Sequence, residues 1–289
     1  MLLDKPSGIT SNAALQRVKR LYHAKKAGHT GSLDPLATGL LPICFGQATK
    51  ACEYLLAADK QYVTHLKLGQ TTDTYDAEGE VVSERAIEFT DAQLDAALAT
   101  FKGSIEQVPP MYSALKQGGV PLYELARKGQ MVERAARSMT VYEVSAERIG
   151  KDELRVHLHT SGGFYVRSFA YDLGEALGCG AHVAQLRRIA KQSLRVKDAI
   201  SLEQLESSSP EAREALMLPV DILLTHLPSQ ALSAVACQAL LNGQPVQLND
   251  VSPAALTRLV RDDGDLFGIG CVDASGIVKT HKIFVKSAL

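Results

Sequence analysis

Within the segment GHTGSLDPLATG, Gly28 to Gly39, Asp34 is the single carboxylate, and no other Asp or Glu lies between Asp4 and Glu53. A carboxylate without acidic neighbours along the chain does not suit the paired acids of sugar hydrolysis. Nor does it suit a calcium or magnesium cage, which needs several oxygens converging. It suits a lone nucleophile. Gly28, Gly31 and Gly39 permit backbone angles closed to other residues, and Pro35 biases Asp34 away from the helical region toward an extended geometry that presents its side chain outward. An ordinary turn with an Asx hydrogen bond accounts for the same residues.

The bases on either side of this segment are grouped. From Lys5 to Leu33 there are Lys5, Arg17, Lys19, Arg20, Lys25 and Lys26 and no acid; from Ala176 to Lys197 there are Arg187, Arg188, Lys191, Arg195 and Lys197, again with no acid. If the fold brings the two stretches together they form a positive face for a polyanion such as RNA. The bland alternative is the solvated side of two helices.

Three separated motifs carry a resemblance. DKPSGITS at Asp4 to Ser11, GHTGSLDPLATG, and FYVRSFAYDLGEALGCGAHVAQLRRIA at Phe164 to Ala190 closely resemble those of the bacterial TruB-type tRNA pseudouridine synthases, in that family's order and spacing. The resemblance implies isomerisation of uridine 55 in the tRNA T loop, with Asp34 as nucleophile. It further implies that Arg167 pairs with Asp34, that Tyr62 stacks on the target uracil and moves a proton, that Tyr165 and Leu186 line the base pocket, and that His29 contacts the RNA beside the extruded nucleotide. Lys5 and Pro6 fall in a motif with a structural role beside the loop.

These roles are chemically coherent. A nucleophilic carboxylate in a water-poor pocket needs a cation to keep it ionised, and arginine keeps its charge on burial where lysine loses it. An arginine at a helix start is otherwise poorly sited against the helix dipole. A base extruded from a folded loop is held by stacking and edge hydrogen bonds. The reaction consumes no redox equivalents or phosphate, and the chain lacks a phosphate-binding loop, a dinucleotide fingerprint and metal-ligand spacing, so no cofactor and no metal are expected. Two departures stand out: the chain begins at MLLDKP, where relatives carry several more residues at the start of a strand, and the family's Lys-Gly-Thr before the pocket tyrosine reads Gly162, Gly163, Phe164 here.

Patterning supplies the elements that position these groups. Thr10–His23 reads as a capped amphipathic helix, Gln47–Ala57 as a second, Lys60–Gly69 as an alternating strand and Thr90–Phe101 as a helix capped by Thr90. Strands follow at Met139–Ile149 and Glu153–Thr160, and helices at Val166–Leu177 and about His182–Ala190. The non-alternating mixture predicts an α+β class. The resemblance implies a mixed, largely antiparallel pseudouridine-synthase sheet flanked by helices. It divides the chain into a catalytic domain over 1–224, with a thumb-like insertion at about 107–139, and a small β-rich PUA-like RNA-binding domain over 225–289.

At 289 residues the chain has room for one large domain and a small one. Five scattered cysteines, a start without the charged and apolar regions of a signal peptide, and no long apolar run predict reduced thiols in a cytoplasmic protein. The implied partner is tRNA, through its T stem-loop, with no membrane, no required protein partner and a monomeric enzyme. Three rival readings share the same surface. A tRNA-binding or tRNA-folding protein acting without catalysis has no use for the Asp34, Tyr62 and Arg167 set. A guide-dependent rRNA pseudouridine synthase does not need the thumb-like stretch. A small-molecule hydrolase with an aspartate nucleophile leaves the basic stretches without purpose.

Overall fold

A computed structural model describes residues 1–249 and 251–284. Strand β1 (Leu2–Lys5) leads into helix α1 (Ser11–Leu21), where Thr10 caps the Ala13 N–H and Ala14, Leu15 and Val18 face inward. Strands β2 (Ala27–His29) and β3 (Thr38–Phe45) bracket the glycine loop. The expected second helix is split into a 3₁₀ turn over Gly46–Ala51 and a short α2 (Cys52–Leu56). Strand β4 (Lys60–Leu68) buries every second side chain, Tyr62, Thr64, Leu66 and Leu68 among them, as period-two alternation requires.

After the β5 (Gln70–Thr72) and β6 (Val81–Glu84) pair comes α3 (Asp91–Thr100), started by a Thr90–Gln93 capping box, then β7 (Gly103–Gln107). The chain leaves the sheet at Gln107 and re-enters at its cross-strand partner Arg137. That excursion holds the two-residue strands β8 (Lys116–Gln117) and β9 (Val120–Pro121) and helix α4 (Leu122–Arg127). Strands β10 (Arg137–Arg148) and β11 (Glu153–Thr160) form a hairpin, followed by α5 (Val166–Ala176), β12 (Ala181–Lys191), β13 (Leu194–Arg195), β14 (Ile200–Ser201), α6 (Leu202–Ser207) and α7 (Pro210–Ala215).

Ten of these strands build one sheet in the order β14-β1-β3-β12-β4-β11-β10-β7, with β13 on β12 and β2 on β3. The β1–β14 and β3–β12 pairs are parallel and the others antiparallel, so the α+β, mixed and largely antiparallel expectation holds. The largest apolar cluster packs α3 and α5 against β4, β11 and β12, with Phe169, Leu173 and Leu66 fully enclosed.

One element is corrected. The helix expected at His182–Ala190 is strand β12, at the centre of the sheet. Register shifts at Val183/Gln185 and Arg188/Ala190 break its alternation, so that Val183, Leu186, Arg188 and Ala190 are buried at uneven steps of three and two. A bulged strand thereby imitates helical spacing.

Over 229–283 a second sheet of five strands runs β15 (Ser229–Leu232), β17 (Ala254–Arg261), β18 (Leu266–Val272), β19 (Ile277–Ile283), β16 (Val246–Gln247), with α8 (Ala234–Leu241) packed on it. Its reversals fall at Gly243, Gly264 and Gly276, all at positive φ, as the Asn-Gly, Asp-Gly and Ser-Gly pairs predict. This unit leans on the first through Ile269 and Phe284, which share a cluster with Leu40, Leu55 and Leu224, and through Lys50 Nζ donating to the Ile283 carbonyl at 2.9 Å. The last five positions of the expected 225–289 domain, and Asp250, lie outside the described residues.

Candidate active site

The loop from Thr30 to Ala37 hangs between β2 and β3, and side chains from distant segments secure its backbone. Ser11 Oγ accepts the Leu33 N–H at 2.7 Å and donates to the Leu33 carbonyl at 3.0 Å. Arg188, 1 % exposed, donates from Nη2 to Gly31 O at 3.1 Å, from Nη1 to Ser32 O at 3.3 Å and from Nε to Leu40 O at 2.8 Å. Lys191 Nζ donates to Thr30 O. Lys5, wholly buried, donates to Pro35 O at 3.3 Å as well as to Pro6 O and Ile9 O.

Buried backbone carbonyls need donors, and these cations supply them. Burial brings Lys5 down to about 8 and Lys191 down to about 6, the second aided by its cationic neighbours Lys60 and Arg188. Five of the eleven bases of the expected positive face are thereby committed elsewhere, while Arg20, Lys25, Lys26 and Lys197 remain exposed. Lys5, Arg188 and Lys191 point inward, while Arg17 and Arg187 are paired with Glu206 and Asp4.

Of the three glycines, Gly31 (φ 134°) and Gly39 (φ 104°) take the angles reserved for them, whereas Gly28 is an ordinary strand residue paired with Cys44. Gly39 also has no room: a Cβ there would lie 2.3 Å from the Arg188 carbonyl oxygen.

Asp34 does not form an isolated Asx turn. Its Oδ2 is 2.9 Å from Arg167 Nε. Arg167, in the first turn of α5 and with 6 % of its side chain exposed, spends its other nitrogens on carbonyls, Nη1 on Thr74 at 3.3 Å and Nη2 on Tyr112 at 2.7 Å. The same Nε lies 3.6 Å from Asp76 Oδ2.

Asp76 is buried and is steadied by the Thr74 hydroxyl at 2.6 Å and the Glu78 N–H at 3.0 Å. Isolation in sequence is thus not isolation in space. Asp34 keeps 39 % of its side chain exposed, yet protein atoms crowd around it. Desolvation pushes its carboxyl above the ordinary range, Arg167 opposes that rise, and the Asp76 charge adds to it. Glu78 is raised as well, by burial first and then by Asp76 and Asp34.

Tyr62 and Leu186 sit on neighbouring strands, β4 and β12, and share the cluster that contains Leu33 of the loop and Phe164. Tyr62 is 6 % exposed and its hydroxyl meets Arg188; burial raises the phenol, and the arginine counters it. Tyr165 is the N-cap residue of α5, half-buried, with its phenol raised by desolvation. His29 ends β2, half-buried; Nδ1 accepts the Gly31 N–H at 3.3 Å, and burial together with Arg188 and Lys191 holds its pKa down. Gly162 of the departing tripeptide packs where a Cβ would lie 2.5 Å from the Ala57 carbonyl oxygen, and Phe164 fills the core.

Asp76 and Gln107 were given no role from sequence, and Arg188 was read only as part of a positive face. Their burial as polar groups marks them once the fold is known, and nothing in their local spacing does. Among the described residues, no three His, Cys, Asp or Glu side chains are grouped to hold a metal ion, and all five thiols are free, with Cys44, Cys179 and Cys237 buried. No helix among the described residues is long and apolar enough to cross a membrane.

Known proteins resemble the chain along its whole length. Residues 19–166 match the model of the TruB family pseudouridylate synthase N-terminal domain. Residues 167–225 match the tRNA pseudouridylate synthase B C-terminal domain, and 228–283 the Pseudouridine synthase II TruB C-terminal domain. The tRNA pseudouridine synthase B of Chromohalobacter salexigens is 48 % identical over 100 % of this chain and 95 % of its own. That of Shewanella amazonensis is 46 % identical over 99 % and 94 %. A solved Cbf5-Nop10-Gar1 complex contains a chain of the same fold, with a TM-score of 0.75 at 24 % identity, covering 98 % of this chain and 84 % of that one. The chain belongs to the TruB family of pseudouridylate synthases.

Proposed function

We propose that this protein is a tRNA pseudouridine synthase that isomerises uridine 55 of the T loop, with Asp34 as its nucleophile. The observation that carries the reading is the Asp34–Arg167 pair at 2.9 Å, a partly exposed carboxylate backed by a buried guanidinium, in a chain nearly half identical to enzymes of that name. The reaction breaks the bond between uracil nitrogen 1 and the ribose, forms one between carbon 5 and the same ribose carbon, and moves a proton from carbon 5 to solvent while nitrogen 1 gains one. Nothing is consumed. The nucleophile can act at uracil carbon 6 or at the ribose, and both routes need Asp34 ionised, which Arg167 favours.

In this reading the extruded uracil stacks on Tyr62, whose hydroxyl takes part in the carbon 5 proton transfer, and packs against Leu186 and Tyr165, with His29 on the neighbouring RNA. The excursion between Gln107 and Arg137 serves as a thumb over the T loop, and the 225–289 unit serves as a PUA-like module for the rest of the tRNA. The enzyme works as a cytoplasmic monomer. Its test is incubation of unmodified tRNA and of an isolated T stem-loop with the protein, followed by chemical mapping of pseudouridine. Conversion at uridine 55 in both is the expected result, because base extrusion needs only local RNA structure. An inert stem-loop beside a modified tRNA would remove the T loop as the element that is read, and pseudouridine in neither would remove the activity.

A further inference from the structure

The excursion is fastened to the catalytic helix at its first residue. Gln107 is 2 % exposed, and its side-chain amide closes a ring with the backbone of one residue: Nε2 donates to Tyr165 O at 3.0 Å and Oε1 accepts the Tyr165 N–H at 2.8 Å. Tyr165 is the N-cap residue of α5 and has no side-chain cap bond of its own. The next ties follow in order. Ser168 Oγ donates to Val108 O at 2.8 Å, and Arg167 Nη2 to Tyr112 O at 2.7 Å. Residues 107, 108 and 112 of the excursion thus hold residues 165, 168 and 167 of the turn that carries the arginine.

We propose that Gln107 is a positioning residue for the catalytic ion pair: its amide locks the first turn of α5, so that Arg167 meets Asp34 when the excursion is seated. Two features support it. Both ends of the amide bond to the backbone of one residue in a buried place, where a lost partner is costly. It also stands where the excursion departs, paired in the sheet with Arg137 where the excursion returns, so a shift of the excursion by RNA pulls on the same turn. Supporting bonds of this kind set catalytic geometry to within fractions of an ångström. This role rests on the proposed isomerase activity.

The test uses the full-length protein and unmodified tRNA, with single-turnover rate and tRNA affinity measured separately. Gln107→Leu should lose about tenfold or more in single-turnover rate, since misplacement by an ångström slows catalysis on that scale, with affinity within about threefold of wild type. Leu205→Ala, a core change in the separate cluster of α1, β1 and α6, is the control for stability alone. A Gln107→Leu rate within twofold of wild type, or slowed no more than a Leu205→Ala protein of equal Tm loss, would overturn the proposal.

Gln107→Glu supplies a second readout and decides if the leucine variant does not fold. An ionised carboxylate can accept from Tyr165 but cannot donate to it, whereas the protonated acid does both. Its rate relative to wild type should therefore recover as pH falls; a flat ratio overturns the role. A wild-type protein that makes no pseudouridine refutes the activity itself. An active wild type beside an equally active Gln107→Leu refutes only the positioning.

Discussion

Asp34 and Asp76 meet at one nitrogen, Arg167 Nε, at 2.9 and 3.6 Å. They come from separate loops, and one guanidinium orders both. Asp76 orients the arginine but also repels the charge that the arginine is there to favour. The Asp76→Asn variant should therefore split the two effects. Its single-turnover rate should fall roughly ten- to a hundredfold from the looser arginine. The acid limb of its rate–pH profile should move to lower pH, because removing the Asp76 charge lowers the Asp34 pKa. An acid limb displaced upward would contradict the arrangement.

Asp34→Asn should abolish turnover while leaving tRNA affinity within a few-fold of wild type. Its stability carries a sign. The folded Asp34 carboxyl is raised above its unfolded value, so the contribution it makes is fully present below the unfolded value and is lost as pH rises through the folded one. Asparagine escapes that loss. The Tm of Asp34→Asn should equal or exceed wild type at pH 7.5, with the difference shrinking toward pH 4. A variant less stable at neutral pH would show that the Arg167 pairing outweighs desolvation.

Arg167→Lys should be slowed about a hundredfold or more, since one ammonium cannot reach Asp34, Asp76 and the Thr74 and Tyr112 carbonyls together. The neighbouring lysines indicate the second defect. Lys5 and Lys191 are brought down to about 8 and about 6 by the same kind of burial, so a lysine here is prone to lose its charge in the working range. A rate near wild type across pH 6 to 9 would refute both points.

Tyr62→Phe keeps the ring in its cluster and removes the hydroxyl that faces Arg188, whose three carbonyl partners remain. It should bind tRNA normally and turn over about a hundredfold more slowly. Tyr62→Leu should in addition lose stacking worth about 1–3 kcal/mol in tRNA affinity. Similar, near-normal rates for the two variants would end the proposed proton-transfer role.

Two glycine substitutions should differ sharply. Gly39→Ala sets a Cβ 2.3 Å from the Arg188 carbonyl oxygen at φ 104°, and should cost at least about 3 kcal/mol or yield no folded protein. Gly118→Ala, at φ 59° in open space, should cost only about 1 kcal/mol. Urea unfolding of both measures the contrast.

Much of this was legible because local rules and tertiary needs agreed. Strand β4 alternates because one face is core, and Thr90 with Gln93 writes its helix start in three residues. Strand β12 was misread because its bulges break the alternation and bury an arginine where a lysine-and-arginine run suggests a solvated face. Asp34 was legible from its glycine and proline neighbours and from a shared motif. Asp76 and Gln107 were not, since each acquires its part only through a contact with the start of α5, 91 residues along the chain from Asp76 to Arg167 and 58 from Gln107 to Tyr165.

The clamp of Lys5, Arg188 and Lys191 on the aspartate loop has a consequence for synthesis. The loop leaves the ribosome early, but two of the cations that satisfy its carbonyls, and Arg167 itself, come more than a hundred residues later. At about 5–20 residues per second the unfinished chain carries Asp34 for on the order of ten seconds before these groups exist. During that interval the aspartate lacks its arginine, and of the groups that frame its loop only Lys5 and Ser11 have been made.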